Sequence, residues 1–452
     1  MDYKKISEKY FDNAIKDLQG LININSVYDE TTITKEKPYG EGVHNAMQYM
    51  KKLALRGGFT VDMCDGHCIE MTYGEGEKEI GIFAHLDVVP VNGTWLYPAF
   101  SGEVHDGKMY GRGTSDDKGP GIAAFYAMKL LKDNNLVKDY KIRMVMGGDE
   151  ERGSSCLEYY FNNLKKKHVT YGFTPDGDFP LIYGEKGIRN YNHFGKLDLY
   201  PVVSIKAGVA SNAVIDEAIL VTKEKVKILE YLKNNKDVKY KVIEENNDSL
   251  TIAFYGVAAH GSLPEKGVNA GLKLIDAIAK CYGNLEMIKL SKMYNDPFGK
   301  SMNQYYETPN MHNTTYNVGI IDYENNDFNF VVNFRYPENV NSDDVIDAIS
   351  KMINLKTNKT LASKVLYFDP NEKFIKALSD VYVRETGDTK NKPMTIGGGT
   401  YAKECKNTVA FGSHFPGKED NIHSCNEKID IEDFTLSIAI YADAINTLGN
   451  LD

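Results

Sequence analysis

The order of hydrophobic and polar residues predicts alternating strands and helices in the first part of the chain. Short apolar runs predict strands at 79–84, 140–146 and 169–174. Helical periodicity predicts helices at 41–57 and 119–133, and a further helix from about residue 154. Such alternation is typical of a mostly parallel sheet flanked by helices on both faces. We therefore expect an α/β domain that begins near the N-terminus.

A different pattern occupies the middle of the chain. A hairpin is predicted at 314–336, followed by a helix that Ser342 is expected to cap. Strands joined by hairpins indicate an antiparallel α+β layer. After residue 371 the first pattern resumes, ending in a long helix from Ile431. The expected domains are an α/β domain made of 1–188 and 372–452, with an α+β antiparallel-sheet domain inserted at 189–371.

Charge and composition exclude some classes of partner. The chain has 53 Lys and Arg against 63 Asp and Glu, a net charge of -10, and no concentrated basic stretch. Phosphate backbones and anionic membranes are therefore not expected as partners. The polar N-terminus, the lack of an apolar run of membrane-spanning length and the presence of only six cysteines predict a soluble, cytoplasmic protein with reduced thiols.

Acidic residues and a histidine follow the predicted strands of the α/β domain. Ligands of open parallel sheets bind beyond the carboxyl ends of the strands, so these residues are candidates for a site. They are His85 and Asp87; Asp149, Glu150 and Glu151; Asp176 and Asp178; and, in a loop before a helix, Asp116 and Asp117. Each motif alone is explained as well by a turn, a helix cap or a solvated helix face. Together they predict a convergence of negative charge.

Several carboxylates at one sheet edge repel each other strongly unless cations neutralise them. A mixture of imidazole and carboxylate ligands suits zinc first, with manganese and cobalt as alternatives, better than calcium. A pair of divalent ions would polarise a carbonyl group and lower the pKa of a water molecule. One acid must then stay off the metals to move protons.

Five motifs resemble those of a known family. They are "HLD", "GRGTSDDKG", "GGDEERG", "TPDGDFP" and "NIHSCNE", with a domain inserted between the fourth and fifth. The family is that of the two-metal exopeptidases, which includes glutamate carboxypeptidases, aminoacylases and bacterial dipeptidases. The resemblance spans nearly the whole chain. It implies that Glu150 is the general base, that Asp87 orients His85, and that the metal ligands are His85, Asp116 as the bridging residue, Glu151, Asp176 and His423.

Within this family, the chain is most similar to the carnosinase-like, PepV-type dipeptidases. Asp at position 176, the segment "IGGGTYAK" and the large insertion carry this resemblance. It implies that the insertion is a lid that completes the site within one chain, so a monomer is expected. On the lid it implies that His260 stabilises an oxyanion and that Arg335 binds the substrate carboxylate. Further substrate contacts are expected from Asn212 and from the backbone of Gly398 and Gly399.

The leading functional hypothesis is a metallodipeptidase that hydrolyses short peptides with a free amino terminus. Asp117 or Asp149 could recognise the amino group. A deacylase of N-acyl or N-succinyl amino acids would use the same centre with a different pocket. A third hypothesis is a non-catalytic metal-binding or peptide-binding protein with the same fold.

Overall fold

The computed structural model describes residues 1–419 and 421–452. Chain contacts divide these residues into two compact units. Unit 1 comprises 1–184, 367–394 and 400–452, and unit 2 comprises 185–366 and 395–399. Residues 395–399, which the sequence pattern grouped with the α/β domain, pack with unit 2. No helix within the described ranges combines the length and the apolar character needed to cross a membrane.

Unit 1 is built on a mixed sheet with helices. The described strands follow the order Thr60–Asp62, Cys68–Gly74, Tyr140–Gly147, Lys78–His85, Tyr171–Thr174, Thr408–Ala410, Ile182–Glu185 and Leu366–Tyr367, and Met394–Ile396 pairs with Ile182–Glu185. A smaller sheet contains Lys428–Asp430, Lys108–Tyr110 and Glu103–His105. The helices are Tyr3–Ser7, Phe11–Ile22, Glu41–Gly57, Lys118–Asp133, Ser155–Glu158, Lys373–Thr386 and Ile431–Gly449.

The predicted α/β class is confirmed, but "mostly parallel" describes only the centre of the sheet. The central strands, from Tyr140–Gly147 to Thr408–Ala410 in the order above, pair in parallel. Strand Cys68–Gly74 runs antiparallel to one side of this centre, and Ile182–Glu185 is antiparallel on the other. The sequence-based prediction did not include these outer strands, although residues 69–73 alternate apolar and polar residues as a half-buried strand does.

Unit 2 is an antiparallel sheet with helices. Its strand order is Lys239–Glu245, Leu250–Tyr255, Glu217–Thr222, Val202–Ala207, Thr315–Glu324, Asp327–Tyr336, Gly187–Lys196 and Lys356–Lys359. Two short strands, Glu307–Thr308 and His312–Asn313, pair with each other outside this sheet. The helices are Val226–Asn234, Ala270–Tyr282, Leu285–Tyr294 and Ser342–Ser350. Apolar side chains of the sheet and helices, such as Leu220, Ile275 and Phe330, form a core of their own.

The predicted helix cap at Ser342 is wrong by one residue. Asn341 has the extended backbone of an N-cap, and its side chain accepts a hydrogen bond from the Asp343 amide at 3.0 Å. Ser342 is the first helical residue, and its hydroxyl instead accepts a hydrogen bond from Arg189 at 3.2 Å.

A buried acid pair joins two helices of unit 1. Glu385 lies on Lys373–Thr386 and hydrogen-bonds Asp443 on Ile431–Gly449, while Arg384 pairs with Asp443 at 2.7 Å. Burial, followed by the charge and hydrogen bond of Asp443, raises the pKa of Glu385 to about 7; Lys4 and Arg384 oppose this. Because the folded pKa exceeds the unfolded one, the proton held by this pair stabilises the fold at low pH. That contribution is lost as the pH rises through the folded pKa.

In the variant Glu385→Gln, stability is therefore expected to fall less than in the wild type as the pH rises from about 5 to about 8. Glutamine keeps a donor for Asp443 at every pH, whereas glutamate loses its proton across this range. Midpoints of thermal unfolding of both proteins over this range measure the effect. Parallel curves for the two proteins would show that this pair does not titrate in the way described.

Candidate metal centre

The carboxyl ends of neighbouring strands bring the predicted acids to one edge of the unit 1 sheet. Strands Lys78–His85 and Tyr140–Gly147 pair in parallel, so that His85 lies opposite Gly147 at the last pair of the register. Strand Tyr171–Thr174 pairs with the other side of Lys78–His85 and ends two residues before Asp176. The expected convergence of charge follows directly from this parallel pairing.

One candidate ligand group contains His85, Asp116 and Asp176. The Nε2 atom of His85 lies 2.9 Å from Asp116 Oδ1 and 3.9 Å from Asp176 Oδ2. His85 is fully buried and Asp116 is 7% exposed. One atom from each residue lies within 4.8 Å of the other two, which suits a shared metal ion.

A second candidate group contains Asp116, Glu151 and His423. The Nε2 atom of His423 lies 2.8 Å from Asp116 Oδ2 and 3.1 Å from Glu151 Oε2. Asp116 thus offers one carboxylate oxygen to each group. All five residues that the sequence assigned as ligands are brought together within unit 1.

Asp87 holds both the histidine and the neighbouring acids. His85 Nδ1 hydrogen-bonds the main-chain carbonyl of Asp87 at 2.9 Å, whereas the nearest carboxylate oxygen is 3.5 Å away. The carboxylate accepts the amides of Glu150 and Glu151 instead, each at 3.1 Å. Because a carbonyl only accepts, Nδ1 carries the proton and Nε2 faces the acids. Asp87 therefore fixes the loop of the expected general base as well as the imidazole.

Burial and mutual charge shift the pKa values of the cluster. Burial alone would lower the pKa of His85, but Asp116 and Asp87 raise it well above its usual value. The hydrogen bonds that Asp116 and Glu151 accept from His423 raise the pKa of His423 to about 11. Burial would raise the pKa of Asp116, but the two histidines lower it. The acids and the imidazoles of this cluster thus stabilise each other's charged forms.

Glu150 lies among the same charges. Burial raises the pKa of Glu150 well above its usual value, and the negative charges of Asp176, Glu151 and Asp116 add to this, although His85 opposes it. The arrangement places a carboxylate with a high proton affinity beside the ligand groups. This is the property required of a general base.

The donor set fits divalent metal ions. Glu151 Oε1 is buried and has no hydrogen-bond partner within the part of the chain that the structure describes. A buried acceptor without a donor is costly, and a cation would remove that cost. The ligands are imidazole nitrogen and carboxylate oxygen, with no thiolate, which zinc, manganese and cobalt all accept.

The two acids considered for amino-group recognition are both buried. Asp117 is fully buried, and its Oδ2 accepts the amide of His85 at 3.0 Å. Asp149 is 7% exposed and accepts a hydrogen bond from Ser155. Asp117 therefore supports the strand end that carries His85, and neither acid presents an open carboxylate to solvent.

The residues expected to bind substrate lie together in unit 2. The Asn212 carbonyl accepts the amide of Gly261 at 2.7 Å, next to His260, whose Nδ1 lies 2.6 Å from Ser262 Oγ. Ser262 packs against Gly397, and the Gly397 carbonyl accepts a hydrogen bond from Arg335. Gly398 and Gly399 continue this segment. The structure thus groups Asn212, His260, Arg335 and both glycines on unit 2.

Arg335 is a buried cation whose hydrogen-bond partners include Asn333 and Gly397. The residue is 3% exposed, and its Nε donates to Asn333 Oδ1 at 2.8 Å. Burial lowers the pKa of Arg335 to about 10. Within residues 1–419 and 421–452 no carboxylate forms an ion pair with it. A buried cation of this kind gains much from a ligand carboxylate.

Two residues next to the candidate ligands escaped the sequence reasoning. The ring of Tyr401 meets that of His85 edge-on, with centroids 6.1 Å apart, and its hydroxyl lies 2.9 Å from Cys156 Sγ. The carboxylate of Glu427 accepts the amide of Asp116 at 3.2 Å. Glu427 is the last residue of the motif "NIHSCNE", but nothing in the sequence separates it from a solvated acid.

Known proteins resemble this chain over nearly its full length. Residues 81–447 match the model of the family described as peptidase family M20/M25/M40. The Bacillus subtilis protein named "Putative dipeptidase YtjP" is 35% identical over 460 residues, which cover 97% of each chain. Two solved structures share the fold at low sequence identity. A metallo-carboxypeptidase from Sulfolobus solfataricus has a TM-score of 0.60 and 17% identity, covering 97% of this chain and 99% of that one. Human carnosine dipeptidase 1 has a TM-score of 0.60 and 16% identity, covering 99% and 98%.

Proposed function

Because this chain belongs to the peptidase family M20/M25/M40, we propose that it is a metal-dependent dipeptidase that hydrolyses short peptides with a free amino terminus. The family assignment confirms the resemblance carried by the five sequence motifs. The relative at 35% identity over nearly the whole chain bears a dipeptidase name, which supports the choice of dipeptides over acylated amino acids.

The observation that carries this proposal is the pair of ligand groups that share Asp116. His85 and Asp176 would hold one divalent ion, Glu151 and His423 a second, and Asp116 both. Bound there, divalent ions would polarise the peptide carbonyl and lower the pKa of a water molecule. We propose zinc as the metal, with manganese and cobalt as alternatives.

Glu150 would move the protons of the reaction. Its raised pKa suits it to accept a proton from the attacking water and to deliver that proton to the leaving amine. Asp87 would keep Glu150 in place through the hydrogen bond that its carboxylate accepts from the Glu150 amide.

Unit 2 would recognise the substrate. His260 would donate a hydrogen bond to the carbonyl oxygen as negative charge develops on it, and Arg335 would bind the terminal carboxylate. Asn212 and the amides of Gly398 and Gly399 would add polar contacts. We further propose that 1–188 and 372–452 form the catalytic domain, that 189–371 act as its lid, and that the protein is a cytoplasmic monomer. The free cysteines are in keeping with a reducing compartment.

Turnover of a substrate panel tests the function. Metal-stripped protein is assayed before and after zinc, manganese or cobalt is restored, with dipeptides, dipeptide amides, N-acetyl amino acids and N-succinyl amino acids as substrates. The proposal expects metal-restored cleavage of dipeptides. Cleavage of only the acylated substrates would assign the chain to the deacylases. Tight metal binding without cleavage of either class would favour a non-catalytic binding protein.

The variant Arg335→Met is expected to raise the KM of dipeptides by about 10- to 100-fold, because a charge-assisted hydrogen bond contributes about 1.5–3 kcal/mol. The KM of the matching dipeptide amides, which lack the carboxylate, should change little. Steady-state kinetics of each peptide and its amide measure this difference. Equal losses for both substrates would mean that Arg335 supports the fold of unit 2 and does not bind the carboxylate.

A further inference from the structure

Glu427 is a fully buried acid that lies four residues after His423. Its Oε1 accepts three main-chain amides, those of Gly113 at 3.0 Å, Ser115 at 2.9 Å and Asp116 at 3.2 Å. Its Oε2 accepts a hydrogen bond from Arg112 Nη1 at 2.6 Å. One carboxylate thus organises the whole loop that leads to the shared ligand.

Two further hydrogen bonds join the same two segments on either side of this carboxylate. The amide of Gly111 donates to the Glu427 carbonyl at 2.9 Å, and the Ser115 hydroxyl donates to the Lys428 carbonyl at 2.8 Å. The segment that carries His423 is therefore docked along the loop that carries Asp116. The Glu427 side chain lies in the middle of this junction.

No neutral side chain can replace all of these contacts. A glutamine can offer one oxygen to the three amides, but its amide nitrogen would then face the donor of Arg112. An alanine would leave three amides and a guanidinium buried without acceptors, which costs far more than the loss of one ordinary hydrogen bond. Arg112 is itself 2% exposed and stacks over Trp95, so it cannot turn freely to water.

We propose that Glu427 is a positioning residue that fixes Asp116 relative to His423 and thereby sets the affinity of the group Asp116, Glu151 and His423 for a metal ion. The proposal rests on the metal-binding role given above. In this group Glu427 links the segments of two of the three ligands. In the other group it reaches only Asp116, because His85 is held by its strand and by the carbonyl of Asp87. Loss of Glu427 should therefore weaken the binding of one metal ion much more than the binding of the other.

Metal titrations of the metal-stripped full-length protein test this asymmetry. Cobalt or zinc is added in competition with a chelating indicator, and the two binding constants are compared for the wild type and Glu427→Gln. Loss of an outer hydrogen-bonding partner typically weakens metal binding by about 10- to 100-fold. We expect the affinity for one of the two metal ions to fall by this factor and the affinity for the other to change by less than about threefold. The reference variant is His423→Ala, which should no longer bind the metal ion whose affinity falls in Glu427→Gln.

Two further variants separate positioning from general destabilisation. In Arg112→Met/Glu427→Gln the opposed donor is gone and the glutamine oxygen can still accept the three amides, so the weakened binding constant should recover. Asp17→Asn removes another buried carboxylate, which contacts Arg56 and Tyr126, and should lower stability without changing either metal constant.

Three outcomes would overturn the inference. They are unchanged constants in Glu427→Gln, an equal weakening of both equivalents, and a wild-type protein that binds only one ion. If Glu427→Gln does not fold, Glu427→Asp decides, because the shorter carboxylate cannot reach the three amides and Arg112 together, and only the metal equivalent that is lost in His423→Ala should then bind more weakly. None of these readouts uses peptide hydrolysis, so a failure of the proposed dipeptidase activity is distinguished from a failure of this inference.

Discussion

Replacing Glu150 by glutamine is expected to lower kcat for dipeptide hydrolysis by about 10³-fold while both metal constants stay near those of the wild type. General bases typically contribute about 10²- to 10⁴-fold to the rate, and glutamine has nearly the same shape but cannot accept the proton. The Glu150 amide would still donate to Asp87, so the loop that carries Glu151 should keep its place.

Two measurements decide this prediction together. Steady-state kinetics give kcat, and the indicator titration gives the metal content of the same preparation. Glu385→Gln is the matched control, since the pKa of Glu385 is also raised by burial but Glu385 contacts Asp443 on helix Ile431–Gly449. A Glu150→Gln enzyme that turns over dipeptides at more than about a tenth of the wild-type rate would exclude Glu150 as the general base.

Replacing Asp116 by alanine is expected to lower the metal content more than replacing Glu150 by glutamine does. This change takes an oxygen from both ligand groups, because Oδ1 faces His85 and Oδ2 faces His423. Metal ions that stabilise a transition state by several kcal/mol account for a rate factor of about 10³ or more, so activity should fall at least that far. Both equivalents should be lost or strongly weakened.

The variant His423→Ala is the comparison for Asp116→Ala. It removes a ligand from one group only, so one equivalent should remain with nearly its original affinity. Metal analysis after gel filtration and the indicator titration measure both variants. If Asp116→Ala lost only one equivalent, Asp116 would belong to a single ion and the shared position would have to be assigned to another residue.

The sequence could indicate where candidate acids meet because parallel strands impose a simple rule. Residues that directly follow neighbouring strands arrive at the same edge of the sheet, so the apolar runs that end at His85, Gly147 and Thr174 already indicate where the acids meet. The order of the five motifs indicated the family to which the chain belongs. Local patterns therefore determined the α/β class, the antiparallel pattern in the middle of the chain and the acids at the sheet edge, whereas Asp116 and His423 were assigned as ligands by the resemblance.

Only the tertiary structure showed what holds those ligands. The Asp87 carboxylate accepts the amides of Glu150 and Glu151 across 63 and 64 residues, and Glu427 reaches Asp116 across 311. Contacts over such separations leave no periodic trace in the chain, since an acid that binds buried amides and an acid that faces water have the same sequence pattern. The resemblance named Arg335 and His260, but only the folded unit 2 showed that Arg335 donates to the Gly397 carbonyl and that Ser262, which His260 contacts, packs against Gly397. Hydrogen bonding and burial are properties of the folded chain, and they decided which acids accept buried amides and which meet at the sheet edge.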